Sequence, residues 1–277
     1  MKKFLLHSII FLLILAVIAQ VRPLYLLYKD RYKQTVTGSE IYHSIFKSKQ
    51  KKKTKKIILG DSVGNQLFPN TKNNDSLNSL ACNQSIGMVG QYLLLNNYLN
   101  AGNEIDTVYL IYAPTSFQNN LDQVFTYHYF LKPFYNEEYQ PLFTETVKEQ
   151  IHKVPFSSFC RLPFILTSNW APDFTPKDKP TYTFLSTISV EYLKKMKALS
   201  VKHHFKLLII PTPTSMSKKA AIEKMDPNEI VKNDLTAEFG NYFQNIIYLA
   251  DNYFIDGTHL KKPQTYTDLY KTTFIKY

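Results

Sequence analysis

The feature that most constrains this chain is a set of three short apolar runs: IILG at 57–60, TVYLIYA at 107–113 and FKLLII at 205–210. None shows the alternation of a half-exposed strand, and each is far too short to cross a bilayer. Each ends at a residue that interrupts a β-ladder: Gly60, Pro114, or Pro211 with Pro213. Helical patterns lie between them. Residues 87–100 carry Tyr92, Leu95 and Leu99 at helical spacing. Residues 184–203 place Leu185, Ile188, Tyr192, Met196 and Leu199 on one face and lysines on the other. A weaker run at 77–84 and NIIYL at 245–249 bring the expected strands to five, and helices are expected at 229–243 and from 262 onward. Short buried strands alternating with helices predict an α/β fold: a parallel sheet covered on both faces, with right-handed crossovers and ligands at the carboxyl ends of its strands.

The N-terminus carries a different signal. After Met1-Lys2-Lys3, residues 4–21 read FLLHSIIFLLILAVIAQV. Eighteen helical residues span about 27 Å, close to the thickness of a bilayer core. Two readings stay open for residues 1–28. The small residues around Val17-Ile18-Ala19 suit a signal peptidase, which would release the chain. Alternatively the run, extended by LYLLY at 24–28, is a single-pass anchor. The positive residues after it (Arg22, Lys29, Arg31) blur the charge asymmetry that would dictate orientation. Either reading places the bulk of the chain outside the cytoplasm, at the cell membrane or secreted. The formal charge of +11 is concentrated just beyond, in KSKQKKKTKK at 47–56; without those seven lysines the charge is +4. The expectation is a basic linker over 29–55 next to the membrane, solvated or drawn to anionic lipid heads or envelope polymers. Nucleic acid is not an expected partner, since no RNA- or DNA-binding motif accompanies the charge.

Residues 115–180 are rich in aromatics, proline and asparagine with little periodicity. They read as an insertion in a 56–277 domain, either a lid or substrate platform over the sheet's active edge or a structured surface excursion. Cys82 and Cys160 are the two cysteines. They can pair in an exported protein or stand as separate buried thiols, and the place of Cys82 in an expected strand favours the second. No cysteine or histidine spacing suggests a metal site, and no cofactor motif is present.

The candidate chemistry begins at KIILGDSVGN, 56–65, where Ser62 follows the first strand. A serine hydroxyl needs a base within reach, and the base needs orienting. Among the seven histidines, His259 stands out. It lies after the last expected strand in YFIDGTHL, three residues beyond Asp256, so one loop can present carboxylate and imidazole to the same cleft. Each half also has an ordinary explanation: Ser62 at a helix start, Asp256-Gly257 as a turn pair. GDSVG satisfies the G-x-S-x-G pattern of a nucleophile elbow, but that elbow normally follows several strands and here it follows the first. A phosphate-binding loop is disfavoured by the missing lysine and glycine spacing.

On Gly60-Asp61-Ser62 and Asp256-Gly257-Thr258-His259 the chain resembles the SGNH, or GDSL-like, hydrolase superfamily. The resemblance implies a three-layer α/β/α sandwich with a flavodoxin-like five-stranded sheet of order 2-1-3-4-5. Ser62 would be nucleophile, His259 base, Asp256 its partner and Asp61 structural. In the family's second block Gly87, or Gly90 in its place, would join the Ser62 N–H in the oxyanion hole. The third block's Gly-x-Asn-Asp is missing, and Thr115, Ser116 or Asn119 would substitute. By similarity to anchored envelope members of the superfamily, the expected function is a serine esterase or O-acyl (acetyl) transferase acting on acylated envelope polysaccharide or a small acyl ester, with a membrane-bound O-acyltransferase as partner. The competing expectation is a non-catalytic binding or assembly subunit on the same fold.

Overall fold

In a computed structural model the described residues are 2–19, 36–72, 76–174 and 184–275. Helix α1 (Lys2–Ala19) precedes α2 (Ser39–Ser48), β1 (Lys56–Gly60), α3 (Ser62–Leu67), β2 (Asn78–Ser79), α4 (Gly87–Asn100) and β3 (Thr107–Tyr112). After the insertion come α5 (Thr187–His203), β4 (Lys206–Pro211), β5 (Thr214–Ser215), β6 (Tyr248–Leu249) and α6 (Gln264–Thr273). The fold is α/β with a four-stranded parallel sheet of order β2-β1-β3-β4. β1 lies centrally, and its last residue, Gly60, is in register with Ile111 of β3.

The two faces of the sheet are covered by different residues, as the pleat requires. Ile57, Leu59, Val108, Leu110, Leu207 and Ile209 join the larger core beneath α4 and α5. Ile58, Tyr109, Ile111 and Ile210 point the other way, onto Val63 and Leu67 of α3 and Tyr270 of α6. Helix α4 is buried nearly all round, because α5 and α2 both pack on it. Ser186 caps α5 by accepting from the Ser189 N–H at 3.1 Å.

The expected fifth strand is present but lies outside the main sheet. Only Tyr248–Leu249 are extended, and they pair in parallel with Thr214–Ser215 in a separate two-stranded sheet. The two prolines give the reason. Pro211 and Pro213 carry no N–H, so the ladder along β4 stops before the chain resumes as β5. The second strand is shorter than expected, and 229–243 is broken into short helices at Asn228–Lys232 and Thr236–Phe239.

The segment 29–55 needs correction. Its described part, from 36, belongs to the folded body. Helix α2 buries Ile41, Ser44, Lys47 and Ser48, and the Lys47 ammonium donates to the carbonyls of Asn70 and Lys72 at 2.8 and 3.3 Å. Burial lowers Lys47 to about 8. The insertion starts at the strand ends, where Ser116 bonds Asp61, but much of the rest is core. Phe130, Phe134, Tyr139, Phe143, Val147 and Ile151 join the core that holds α4 and α5, with Tyr139 bonded to Asn97 of α4 and Thr144 and Thr146 to Glu191 of α5. Residues 175–180 of it lie outside the described residues.

At the N-terminus, among the described residues no helix is both long and apolar enough to cross a membrane. Helix α1 has 18 residues, exposes its apolar side chains and touches the short helix Pro163–Leu166 of the insertion. The run at 24–28 and the cations Arg22, Lys29 and Arg31 lie outside the described residues. Cys82 and Cys160 are free and buried, and burial raises both thiols to about 12.

Candidate active site

The chain leaves β1 through a turn so tight that glycine is needed on both sides of it. A Cβ on Gly60 would lie 2.7 Å from the Ile111 carbonyl oxygen, and one on Gly64 would meet the same atom at 2.7 Å. The two glycines of GDSVG therefore let the start of α3 sit directly against β3. Asp61, almost wholly buried, fastens this start. Its Oδ1 accepts from the N–H groups of Val63 and Gly64 at 3.0 Å each, and its Oδ2 accepts from the Ala113 N–H at 2.7 Å and the Ser116 hydroxyl at 2.8 Å. Burial pushes Asp61 up from the ordinary carboxyl value, against the lowering effect of these donors. Asp61 is thus a helix cap that joins the loops after β1 and β3, and it leaves Ser62 at the first helical position, half-buried at the end of the central strand.

The opposing loop is built around Gly257, which adopts φ 73°. That left-handed turn folds the chain back so that Asp256 Oδ1 accepts from the N–H groups of Thr258 and His259 at 3.0 and 2.8 Å. Asp256 Oδ2 lies 2.7 Å from His259 Nδ1. His259 Nε2 lies 2.9 Å from Ser62 Oγ. These donors, above all the His259 backbone N–H, hold the Asp256 carboxyl well below its usual range. An ionised carboxylate can only accept, so Nδ1 carries the ring hydrogen and the Nε2 lone pair faces the Ser62 hydroxyl. This arrangement can draw the proton from Ser62 as its oxygen attacks a carbonyl.

Sequence residues 62, 256 and 259 are thus brought together. The expected oxyanion donors fare differently. Gly87 has φ 60°, and its N–H closes the preceding turn onto the Gln84 carbonyl. Asn119 Nδ2 donates to that same carbonyl at 2.6 Å, while its Oδ1 accepts from the Leu121 N–H. Gly87 and Asn119 are neighbours, but the Gly87 N–H and one of the two Asn119 Nδ2 hydrogens are given to Gln84 O. Gly90 lies inside α4, where an added Cβ would strike Ile86 at 2.5 Å. Ser116 is held by Asp61. Of the expected donors, the Ser62 N–H and the Thr115 hydroxyl have no protein acceptor among the described residues, and Thr115 lines a recess next to Val63.

Two positioning residues escaped the sequence reading. Gln66, one turn after Ser62 on α3, accepts from the Leu260 N–H at 2.9 Å and donates to the Leu260 carbonyl at 3.4 Å, which ties the histidine loop to the serine helix. Gln91 of α4 makes the same paired contact with the backbone of Gly60, at 3.2 and 2.9 Å. Glutamines carry no motif of their own. Only Gln91 gave a hint, as the one amide in the first eight residues of α4, GMVGQYLL.

No group of three or more His, Cys, Asp or Glu residues among those described could hold a metal ion. A scan against protein-family models finds no match, and a search of curated proteins finds none.

Proposed function

We propose that this chain is a serine esterase or O-acyl transferase of the SGNH type, attached to the outer side of the cell membrane and acting on acyl esters of envelope polysaccharide. The observation that carries the reading is the hydrogen-bonded line Ser62–His259–Asp256, at 2.9 and 2.7 Å. The sheet order β2-β1-β3-β4, with a further parallel pair beyond β4, is compatible with a flavodoxin-like sandwich of order 2-1-3-4-5.

In this reading Ser62 Oγ bonds to the ester carbonyl carbon as its proton passes to His259 Nε2. The negative charge on the tetrahedral oxygen is met by the Ser62 N–H. Collapse breaks the bond to the alcohol, which leaves with the proton from His259, and an acyl-serine remains. Water then yields a free acid, or a glycan hydroxyl yields a new ester, by the same steps reversed. Asp256 stays ionised throughout and steadies the imidazolium.

Membrane attachment is supported by the exposed apolar residues of α1 and by its contact with Pro163–Leu166. Around that contact Phe156, Phe159, Phe164 and Trp170 are also exposed, a cluster that suits a lipid–water interface.

One observation favours a second reading, an assembly subunit working beside a membrane-bound O-acyltransferase. Gly87 and Asn119 are both turned onto Gln84 O, and loss of one oxyanion donor costs about 10²–10³ in rate. The two readings separate on treatment of the full chain with a fluorophosphonate and mapping of the adduct by mass spectrometry. An adduct on Ser62 that is absent from Ser62→Ala supports the esterase reading. A folded wild-type protein that stays unlabelled supports the subunit reading.

A further inference from the structure

Beside Ser62 and His259 lies a small pocket that the triad chemistry does not use. It borders the site through Val63, next to Ser62, and through Gly257 and Thr258, between Asp256 and His259. Its polar wall comes from three separate loops: Thr115 after β3, Thr212 between β4 and β5, and Lys218 beyond β5. The Lys218 ammonium is half-buried and donates to the Thr258 hydroxyl. It forms no ion pair and no other hydrogen bond among the described residues, so two of its three donors are unspent. Thr212 is fully buried, and its hydroxyl has no partner among the described residues. A half-buried cation and an orphaned hydroxyl therefore line one recess, whose wall reaches Val63, the neighbour of the candidate nucleophile.

Resting on the esterase reading above, we propose that this recess is an anion-binding subsite. In it Lys218 and Thr212 receive a carboxylate or phosphate oxygen carried by the substrate close to the scissile ester. Burial lowers Lys218 from the ordinary lysine value, with Asp256 and Asp61 acting in the opposite direction. An entering anion supplies the charge and the acceptors that the ammonium and the Thr212 hydroxyl lack. The same cation repels an ammonium. Aminoacyl esters are therefore disfavoured, and the substrate is an ester on, or of, an acidic group.

The test separates this subsite from the triad, because it needs no turnover. Full-length Ser62→Ala protein in detergent is titrated with monoethyl succinate, which is anionic, diethyl succinate, which is neutral, and glycine ethyl ester, which is cationic, and binding is followed by NMR. Monoethyl succinate is expected to bind about tenfold tighter than the diester, or better, with glycine ethyl ester weakest. Adding Lys218→Met should remove that preference at an unchanged melting temperature, and Lys218→Arg should retain most of it. Displacement of the anion by inorganic phosphate would identify a phosphate as the natural group, and resistance to displacement a carboxylate. Equal binding of monoester and diester, or a preference that survives Lys218→Met, would overturn the proposal. If wild-type protein fails to react with a fluorophosphonate while the preference is present, the esterase reading falls and the subsite stands.

Discussion

Gly64→Ala is the sharpest probe of why the serine sits where it does. The new Cβ would lie 2.7 Å from the Ile111 carbonyl oxygen, about 0.7 Å inside ordinary van der Waals contact. That oxygen belongs to a strand paired on both sides by β1 and β4, so α3 must give way. Two effects compete. Alanine gains about 1 kcal/mol over glycine in a helix interior, while forcing an extra carbon into a packed contact costs about 1–3 kcal/mol. Against an unyielding backbone atom the steric cost lies in the upper part of that range, about 2–3 kcal/mol, for a net loss of about 1–2 kcal/mol, or roughly 2–8 °C in melting temperature for a chain of this size. Reactivity should suffer more than stability. Moving α3 carries Ser62 with it and lengthens a 2.9 Å bond to His259, and a misplacement of about 1 Å can cost about 10²-fold. Differential scanning calorimetry and the rate of fluorophosphonate labelling read the two effects separately. A variant with wild-type melting temperature and wild-type labelling would refute the argument that the glycines of GDSVG set the approach of α3 to β3.

Asp256→Asn should reduce labelling of Ser62 by about 10³–10⁴, because an amide no longer dictates which ring nitrogen carries the hydrogen; the circular dichroism spectrum should not change. Since Asp256 is held well below its usual range, its contribution to stability is complete above about pH 4, the ordinary carboxyl value, and fades only as pH falls toward its lowered folded value. The acid limb of a pH–labelling profile must therefore report another group, and a limb unchanged by removing every other candidate would contradict this. Gln66→Ala should slow labelling about tenfold by releasing the Leu260 backbone, and Gln66→Glu, which still accepts but cannot donate, should fall between. Tyr112 is fully buried with a hydroxyl that has no partner among the described residues. Tyr112→Phe is therefore expected to raise stability by about 1 kcal/mol, and a destabilised variant by urea titration would show that the hydroxyl is satisfied after all.

Much of this molecule is legible in the chain itself. The three apolar runs each become a strand at the expected place because a fully buried strand needs apolar residues on both faces. The helices at Gly87–Asn100 and Thr187–His203 follow from the spacing of their apolar residues, and the second is capped as well, by Ser186. What misled the sequence reading was local composition taken as environment. KSKQKKKTKK looks like a solvated tether, yet Lys47 in it is buried because two backbone carbonyls receive its ammonium. The aperiodic aromatics of the insertion look like a surface platform, yet they fill the core beside α4, where irregular backbone suffices if the side chains pack.

By itself the sequence determined the alternation of strand and helix, the serine after the first strand and the aspartate–histidine pair on one turn, because these depend on neighbours within a few residues. Tertiary structure decided the rest. It brought Ser62 within 2.9 Å of a histidine 197 positions away, turned the two expected oxyanion donors onto Gln84, moved the fifth strand into its own pair, and set Lys218 beside the triad. Each of these is a contact between loops from different strand ends, and the distance between such loops is fixed only when the whole sheet has assembled.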